Sequence, residues 1–465
     1  MSDLWQHQQD ALDFIDQRLR TSPGVGIWSG MGSGKTRTTL AALRDHQRNR
    51  VLVLAPKSVV SNVWEDQVRQ WAPEYTCLTL GSGSVVSRCK AIAQHAETER
   101  LIVVLNYDVV YRPEMRVLGR GQWDALILDE SHRISRPGGK TSRAVRKLAE
   151  RIPFRLALSG TPISGSAGPL GIWAQAAALD SRIYHRTYSA FRAAYTESCR
   201  WGQHDGATPG KGGAIQPWRF RNLDDLEARM AQFSYRVESA DVLDLPPEQD
   251  IVRTTKLEPK ARRMYTELEN DLITDLEEGV VTVSNALVRL LRLQQITGGW
   301  ATLNEGGYVE VSKAKRTLLT DILEDFPLNE PLVVVCRFHA DLDTVARACA
   351  ASGRQYFELS GRTDGLRRWK SLCASGTGSP TLAVQIQSGG LGISLVEAST
   401  ILFYSPDFSL VTYDQMRARI QRPGQTRPVT FIHLTVQNSV DQDLYAALQS
   451  RADLVEATLA GLLAR

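Results

Sequence analysis

The chain has 465 residues, enough for two or three domains, because a single hydrophobic core rarely grows beyond about 250 residues. With 43% hydrophobic and 23% charged residues and no low-complexity tract, its composition excludes a largely disordered chain. The net charge of +4 permits nucleic-acid binding without establishing it, since a small excess of Lys and Arg is common among unrelated proteins.

Cysteine usage and the distribution of apolar residues exclude further classes. The six cysteines form no C-x-x-C pair and no grouping with histidine, so neither a zinc site nor a disulfide framework is predicted. The amino terminus lacks a basic start followed by an apolar run, and no stretch of about 18 apolar residues occurs. We therefore expect a protein of a reducing cytoplasm that makes no use of a membrane.

The first predicted element is a strand, Val25 to Trp28, followed by a glycine-rich loop and a helix that begins near Thr36. Such a loop lets backbone N–H groups converge on phosphates at a helix N-terminus, while Lys35 neutralises β/γ oxygens and Thr36 offers a hydroxyl to Mg²⁺. Ser29 stands where the strict phosphate-loop pattern has Gly, and a Gly-rich turn with an incidental Lys is the alternative. The predicted nucleotide contacts of this loop are Gly30, Met31, Gly32, Ser33, Gly34, Lys35 and Thr36.

Further short apolar runs alternate with helical patterns in the first part of the chain. They are Val51–Leu54, Leu101–Leu105, Ala125–Leu128 and Arg155–Leu158. This alternation predicts parallel strands joined by crossovers, with ligands bound at the carboxyl ends of the strands.

Two carboxylates follow one of these runs directly. Asp129 stands at the strand end, where it can hold the Mg²⁺ shell, and Glu130 can orient and activate water for attack on a γ-phosphate. His132 suits a relay of the nucleotide state. The alternative for such a pair is an ordinary solvated surface.

Residues 181 to 300 lack this alternation and suggest inserted helices. We expect a loop near Gly202–Gly213 and a lobe boundary near Leu245-Pro246-Pro247. The segment Trp300–Val311 predicts a hairpin, which is either structural or a strand-separating wedge. Beyond it, a second set of apolar runs predicts a second α/β unit, at Leu332–Val335, Leu382–Ile386, Thr400–Phe403 and Val429–Leu434.

The second unit carries two phosphate-binding candidates. Arg419 and Arg422 are three residues apart, so on a helix both would point the same way and could reach a γ-phosphate; a solvated basic helix is the alternative. Ser388 and the glycines 389, 390 and 392 could offer donors to a phosphodiester, or form a turn without a ligand.

Together these segments resemble helicase superfamily two. Motifs I, Ia, II and III correspond in order to Gly30–Thr36, Leu54–Ser58, Asp129–His132 and Ser159–Pro162, and motifs IV, V and VI to Val333–Phe338, Gln387–Leu395 and Gln415–Gln425. Leu4–Gln8 resembles the adenine-reading motif of the Swi/Snf-type DNA translocases, and Arg419–Gln425 resembles their Arg-x-x-Arg-x-Gly-Gln run. Ser131 replaces the usual Ala, Pro423 replaces Ile, and Tyr404–Ser409 replaces a Trp-Asn turn, so contacts made there by relatives are not carried over.

The resemblance, which runs from Leu4 to about Leu444, implies two RecA-like parallel-sheet lobes in tandem. We place them at 1–244, with a helical insertion at about 181–240, and 245–465, with one at about 258–300. It implies ATP and Mg²⁺, with Gln8 and Gly392 added to the nucleotide contacts and His132, Ser159 and Thr161 as coupling residues. The DNA contacts it implies are Lys57, Asn106, Thr161, Arg337, Ser388, Gly389 and Gly390.

The resemblance favours a minimal, monomeric motor of a bacterial or phage-infected cell, with double-stranded DNA as its track. A strand-separating helicase on DNA or RNA shares the same core and would need a wedge. The sequence does not distinguish these from a motor that strips or remodels protein on DNA, alone or with a separately encoded nuclease as partner. A non-enzymatic scaffold is disfavoured, because it would be expected to have lost Lys35, Glu130 or the two arginines.

Overall fold

The computed structural model describes residues 4–60, 63–119, 121–163, 168–199, 206–209, 215–277, 283–303, 307–386 and 393–450. The chain divides into two compact units, Met1–Leu243 and Asp244–Arg465. None of the described helices is both long and apolar enough to span a membrane.

The first unit is built on a seven-stranded parallel sheet and a small antiparallel one. Its strands are β1 Gly24–Ser29, β2 Arg50–Ala55, β3 Thr76–Leu80, β4 Leu101–Asn106, β5 Ala125–Asp129, β6 Phe154–Leu158, β7 Thr196–Ser198, β8 Gly206–Pro209, β9 Ile215–Phe220 and β10 Ser234–Val237. The large sheet has the order β10-β1-β6-β5-β2-β4-β3. All residues of β1, β4 and β6 are buried, as expected for strands covered by helices on both faces.

The helices of the first unit connect these strands. They are α1 Gln6–Leu19, α2 Lys35–Asp45, α3 Lys57–Val60, α4 Trp64–Trp71, α5 Val85–Gln94, α6 Lys140–Ala149, α7 Ile172–Leu179, α8 Tyr188–Tyr195, α9 Leu223–Phe233 and α10 Ser239–Val242. Short 3-10 helices lie at Tyr107–Val109, Pro113–Gly119, Ser131–Ile134 and Gly168–Gly171. Helix α2 packs against α1 and α4, and α6 packs against α7.

The segment expected to be a helical insertion is of mixed structure. It holds α8 and α9, but between them lies the antiparallel sheet β7-β9-β8. The loop expected near Gly202–Gly213 is wrong in part, because β8 pairs with β9 within it; residues 200–205 and 210–214 lie outside the described residues. The segment ends in β10, which returns to the large sheet beside β1.

The second unit is built on a six-stranded parallel sheet of order β11-β18-β17-β14-β16-β15. The strands of this unit are β11 Glu248–Thr255, β12 Trp300–Thr302, β13 Tyr308–Glu310, β14 Leu332–Cys336, β15 Gln355–Leu359, β16 Pro380–Gln385, β17 Thr400–Phe403 and β18 Val429–Val436. Strands β12 and β13 form the predicted hairpin, whose tip at residues 304–306 lies outside the described residues.

The helices of the second unit include a packed pair at the expected insertion. They are α11 Pro259–Glu277, α12 Val283–Thr297, α13 Ala314–Asp325, α14 His339–Ala351, α15 Leu366–Ser375, α16 Leu410–Arg417 and α17 Val440–Ser450. Helices α11 and α12 pack on each other. The fold prediction is confirmed: each unit is an α/β lobe on a parallel sheet, and every predicted apolar strand corresponds to a strand of one of the two sheets.

Candidate functional site

Sheet topology gathers three predicted motifs at one edge of the first unit. Strand β6 lies between β1 and β5, and all three are parallel. The loop after β1, Asp129 at the end of β5 and Ser159 directly after β6 therefore lie at neighbouring carboxyl ends, the edge where ligands bind in such sheets.

The loop between β1 and α2 has the backbone of an anion cradle. Gly32 and Gly34 both have φ of +78°, a conformation that glycine adopts without a steric penalty. The Lys35 ammonium donates hydrogen bonds to the carbonyls of Ser29, at 2.9 Å, and Gly30, at 3.0 Å. The loop thus wraps its lysine at the amino end of α2, where a helix favours negative charge.

Helix α1 supports this loop from the side. The Gln8 amide donates to the Ser33 carbonyl at 3.3 Å, and His7 Nε2 contacts the same oxygen at 2.8 Å. The Gln8 carbonyl oxygen accepts from the backbone N–H of Trp5 at 3.1 Å. A side chain at Gly34 would meet Gln8, because a Cβ there would lie 2.1 Å from Gln8 Nε2. Together with the φ of +78°, this close approach favours glycine at position 34.

Asp129 is half-buried and held by a residue that sequence reasoning missed. The Trp64 indole N–H donates to Asp129 Oδ2 at 2.9 Å, and the Tyr107 hydroxyl donates to the Asp129 backbone carbonyl at 2.9 Å. Desolvation of the carboxyl group and the neighbouring Glu130 charge together raise the pKa of Asp129 to about 6, against the opposing effects of Trp64 and Lys35. No local pattern in the sequence marks Trp64, because the contact spans 65 positions.

Glu130 begins a chain of side-chain contacts that joins β5 to β6. Its backbone has φ of +51°, and its carboxylate lies 3.3 Å from His132 Nδ1. The same His132 nitrogen lies 3.2 Å from Ser159 Oγ, which accepts from the backbone N–H of Thr161 at 3.1 Å. The three predicted coupling residues are thus brought together beside the predicted base.

A second link between the same two segments passes through Gln175, which sequence reasoning also missed. The Ser131 hydroxyl donates to Gln175 Oε1 at 2.7 Å, and the Gln175 amide donates to the Pro162 carbonyl at 2.7 Å. Ser131 and Gln175 are fully buried. Ser131 therefore has a buried hydrogen-bond partner on α7.

The oxygen groups at this edge fit Mg²⁺ that is bound together with substrate phosphates. Among the described residues no group of three or more His, Cys, Asp or Glu could enclose a metal. Mg²⁺ is usually bound by one or two carboxylates together with substrate phosphates and water. Asp129, fixed by Trp64, and the Thr36 hydroxyl fit that pattern.

Arg419 and Arg422 converge in the second unit, although not on a helix. Helix α16 ends at Arg417, so the prediction that both arginines lie on one helical face is wrong. Turns follow instead, with Gly424 at φ of +99°. Both guanidinium groups nevertheless donate to the carbonyl of Ile393, each at 3.4 Å. Burial lowers the pKa of Arg422.

The predicted DNA contacts have different surroundings. Lys57 is exposed at the start of α3, whereas Asn106 is buried and accepts from Arg88 at 2.6 Å. Thr161 is half-buried, and its hydroxyl has no hydrogen-bond partner among the described residues. Arg337 forms an ion pair with Asp407. Ser388, Gly389, Gly390 and Gly392 lie outside the described residues.

Comparison with known proteins gives a consistent set of similarities. Residues 7–298 match the family model described as the SNF2-related domain. Protein p41 of Acyrthosiphon pisum secondary endosymbiont phage 1 is 26% identical over 437 residues, covering 90% of each chain. The SWI/SNF-related matrix-associated actin-dependent regulator of chromatin subfamily A member 1 of Mus musculus is 25% identical over 454 residues, which cover 91% of this chain but only 40% of that protein.

Among solved structures, the chain is similar to the Sulfolobus solfataricus SWI2/SNF2 ATPase core in complex with dsDNA. The TM-score is 0.44 at 21% identity, and the match covers 99% of this chain and 94% of that chain.

Proposed function

The chain belongs to the SNF2-related domain family, and from this membership we propose that it is an ATP-dependent motor that moves along double-stranded DNA. Family membership supports ATPase activity itself. Movement along DNA, the choice of duplex DNA as the track and the roles of single residues are what we propose beyond it.

One observation carries the proposal furthest. The edge that holds the phosphate loop also holds a continuous path from Glu130 through His132 and Ser159 to Thr161. A static nucleotide-binding scaffold has no need of a side-chain path from the water-activating position to the next strand. Such a path is what a motor needs, because hydrolysis must alter a second segment.

In the proposed reaction the chain's own groups act on the triphosphate of ATP. The loop amides and Lys35 offset the charge of the β- and γ-phosphates, and Glu130 accepts a proton from the attacking water. Bound Mg²⁺, held by Asp129 and Thr36, would supply further positive charge to the phosphate oxygens. His132, in contact with both Glu130 and Ser159, transmits the loss of the γ-phosphate to the segment after β6.

Arg419 and Arg422 are proposed to stabilise the charge that develops on the γ-phosphate. Their guanidinium groups share one acceptor, so they can present two planar donor forks to the same anion. This assignment rests on the motif resemblance and on that convergence.

Duplex DNA is proposed as the track because the adenine-reading motif and the final arginine motif resemble those of duplex translocases. Phosphate contacts would then position the DNA without reading its sequence. Single-stranded DNA and RNA are the alternative tracks, and the experiment below distinguishes them from duplex DNA.

Steady-state ATP hydrolysis tests the proposal. The rate is measured without nucleic acid and then with duplex DNA, single-stranded DNA and RNA, beside the Lys35→Ala variant. Duplex DNA is expected to give the largest stimulation, and Lys35→Ala is expected to abolish hydrolysis under every condition. An absence of stimulation by any nucleic acid would sink the motor proposal, and a preference for RNA would replace the proposed track.

A further inference from the structure

A basic groove lies in the first unit between the 3-10 helix Pro113–Gly119 and α6. Its volume is about 580 Å³, and its floor includes Val110, Met115, Leu118 and Leu148. We define the groove by the six cations that line its two walls: Arg112, Arg116, Lys140, Arg143, Lys147 and Arg151.

No carboxylate of the described residues lines this groove. All six cations are exposed, and within the described part of the chain none of them forms an ion pair with a carboxylate. Glu114 and Glu150 belong to the same segments but do not line the groove. Six neighbouring positive charges repel one another. The binding of a polyanion would relieve this repulsion, so a groove of this kind favours a polyanionic ligand.

The spacing of the cations suits a phosphate backbone. Lys140, Arg143 and Lys147 recur at intervals of three and four residues, so they lie along one face of α6. At a rise of about 1.5 Å per residue, this row extends over about 10 Å. A DNA strand carries one charge per roughly 3.4 Å of helix axis, so the row can face about three successive phosphates. Arg112 and Arg116 form the opposite wall.

Along the chain, the groove directly follows two segments that carry predicted functions. Asn106, a predicted DNA contact, is followed directly by the 3-10 helix Tyr107–Val109, and the groove lining begins at Val110. On the other wall, α6 follows the 3-10 helix Ser131–Ile134 that belongs to the predicted hydrolysis motif. The groove is therefore built from segments that directly follow a predicted DNA contact and the predicted hydrolysis motif.

From these observations we propose that the groove binds the phosphate backbone of the same duplex as an additional, sequence-independent contact. The choice of duplex DNA as the ligand rests on the proposed function. The groove itself is an additional site, because its cations lie outside the motor motifs. The groove strengthens attachment to the duplex and takes no part in hydrolysis, because its cations lie outside the proposed catalytic set.

The test compares two doubly substituted variants with equal loss of charge. Arg116→Gln/Lys147→Gln alters both walls of the groove, and Arg20→Gln/Arg186→Gln removes two exposed cations of the same unit that do not line it. Binding to a labelled duplex of about 30 base pairs is measured between about 50 and 200 mM salt. Thermal unfolding verifies that both variants are folded.

In the groove variant, duplex binding is expected to depend less steeply on salt concentration than in the wild type. Because each phosphate contact contributes about 0.9 to the slope of log K against log salt, the magnitude of that slope should fall by about 2. The duplex concentration for half-maximal stimulation of hydrolysis should rise about tenfold or more, while the maximal rate and the rate without DNA stay unchanged. The control variant should match the wild type.

Three results would overturn the proposal. The first is a groove variant with the wild-type slope, and the second is an equal loss of duplex binding in both variants. The third, with polyglutamate measured in parallel as a second polyanion, is a groove variant that loses binding to polyglutamate but not to duplex DNA. Failure of the proposed function has a different signature: the wild type would bind duplex DNA without any stimulation of hydrolysis, and the slope comparison would still decide the role of the groove.

Discussion

At the scale of single residues, the hydrogen bond from Trp64 to Asp129 sets the position of the carboxylate proposed to hold Mg²⁺. The indole ring is fully buried, and its N–H occupies one carboxylate oxygen at 2.9 Å. A fixed donor of this kind leaves the other oxygen oriented for a ligand, in the same way that outer partners orient metal-binding groups elsewhere.

Trp64→Phe is therefore expected to lower the affinity for Mg²⁺. Loss of such an outer partner commonly costs about 10-fold to 100-fold in metal affinity. The Mg²⁺ concentration that gives half-maximal hydrolysis should rise by that factor, while the rate at saturating Mg²⁺ changes less. Trp71→Phe, in the same helix but away from Asp129, is the matched control. Equal Mg²⁺ dependence in wild type and Trp64→Phe would show that the indole N–H is dispensable.

Arg419→Lys and Arg422→Lys test whether the two guanidinium groups act through their shape. Lysine keeps the charge but lacks the planar fork that binds two phosphate oxygens. Since arginine fingers contribute about 10³-fold or more to phosphoryl transfer, each variant should lower kcat by at least about 100-fold with a smaller change in KM. Arg427→Lys, whose guanidinium instead contacts the Glu397 carbonyl, should retain activity. Full activity in either motif variant would remove that arginine from the proposed set.

At the scale of secondary-structure elements, α7 carries the bridge between the segments that follow β5 and β6. Gln175 accepts from Ser131 and donates to Pro162, so a single buried amide connects them. A buried polar group left without its partner costs about 1–3 kcal/mol.

Gln175→Leu should consequently lower the free energy of unfolding of the first unit by about 1–3 kcal/mol, because it strands the Ser131 hydroxyl and the Pro162 carbonyl. Ser131→Ala, which removes the hydroxyl and leaves Gln175 bonded to Pro162, should cost less, and Ser131→Ala/Gln175→Leu should cost less than the sum of the two. Urea unfolding measures all three. Additive losses would mean that the serine and the glutamine do not act through each other.

Helix α14 contains a carboxylate whose burial makes the stability of the second unit depend on pH. Burial raises the pKa of Asp341 from 3.8 to about 6, although Ser405, the Phe338 N–H and Lys315 oppose the shift. The folded state then holds a proton that the unfolded state has released, so the free energy of unfolding contributed by this group falls as pH rises from about 4 to 6.

Asp341→Asn should remove that pH-dependent component, since an amide oxygen can still accept from Phe338 and Ser405. The difference in urea midpoint between wild type and variant is expected to change between about pH 4 and 6 and to be constant above that range. The exposed Asp321→Asn variant provides the control. A difference that does not vary with pH would contradict a raised pKa.

Sequence patterns revealed the inner strands of both sheets and missed the outer ones. The strands that the apolar runs did not indicate in the large sheets are β3, β10, β11 and β15, and these are the four edges. An edge strand is covered on fewer sides, so it keeps polar residues: β11 is mostly exposed and β3 is only half-buried. Apolar runs identify strands that are buried on both faces, and edges have no such signature.

The site shows a similar division. Lys35, Asp129 and Glu130 follow strands within short motifs, so local sequence was sufficient to propose them. Trp64 and Gln175 act across 65 and 44 positions, and such contacts depend on packing that no local pattern encodes. The end of α16 at Arg417 was equally invisible, because the spacing of two arginines does not reveal where a helix stops.

At the scale of the whole molecule, each of the two parallel-sheet units carries part of the proposed motor. The first holds the phosphate loop, the proposed base, the coupling path and the basic groove, and the second holds the convergent arginines. In the proposed account the basic groove and the hydrolysis site consist of different residues, so they can be altered independently.

Triplex displacement tests the central proposal of movement along duplex DNA most directly. A labelled third strand is bound to one end of a duplex, and its release is followed with ATP, without ATP and with Lys35→Ala, beside a parallel assay of duplex unwinding. We predict ATP-dependent release of the third strand by the wild type, no release with Lys35→Ala, and no separation of the two strands beneath. Stimulated hydrolysis without release of the third strand would contradict translocation, and separation of the duplex itself would identify a helicase instead.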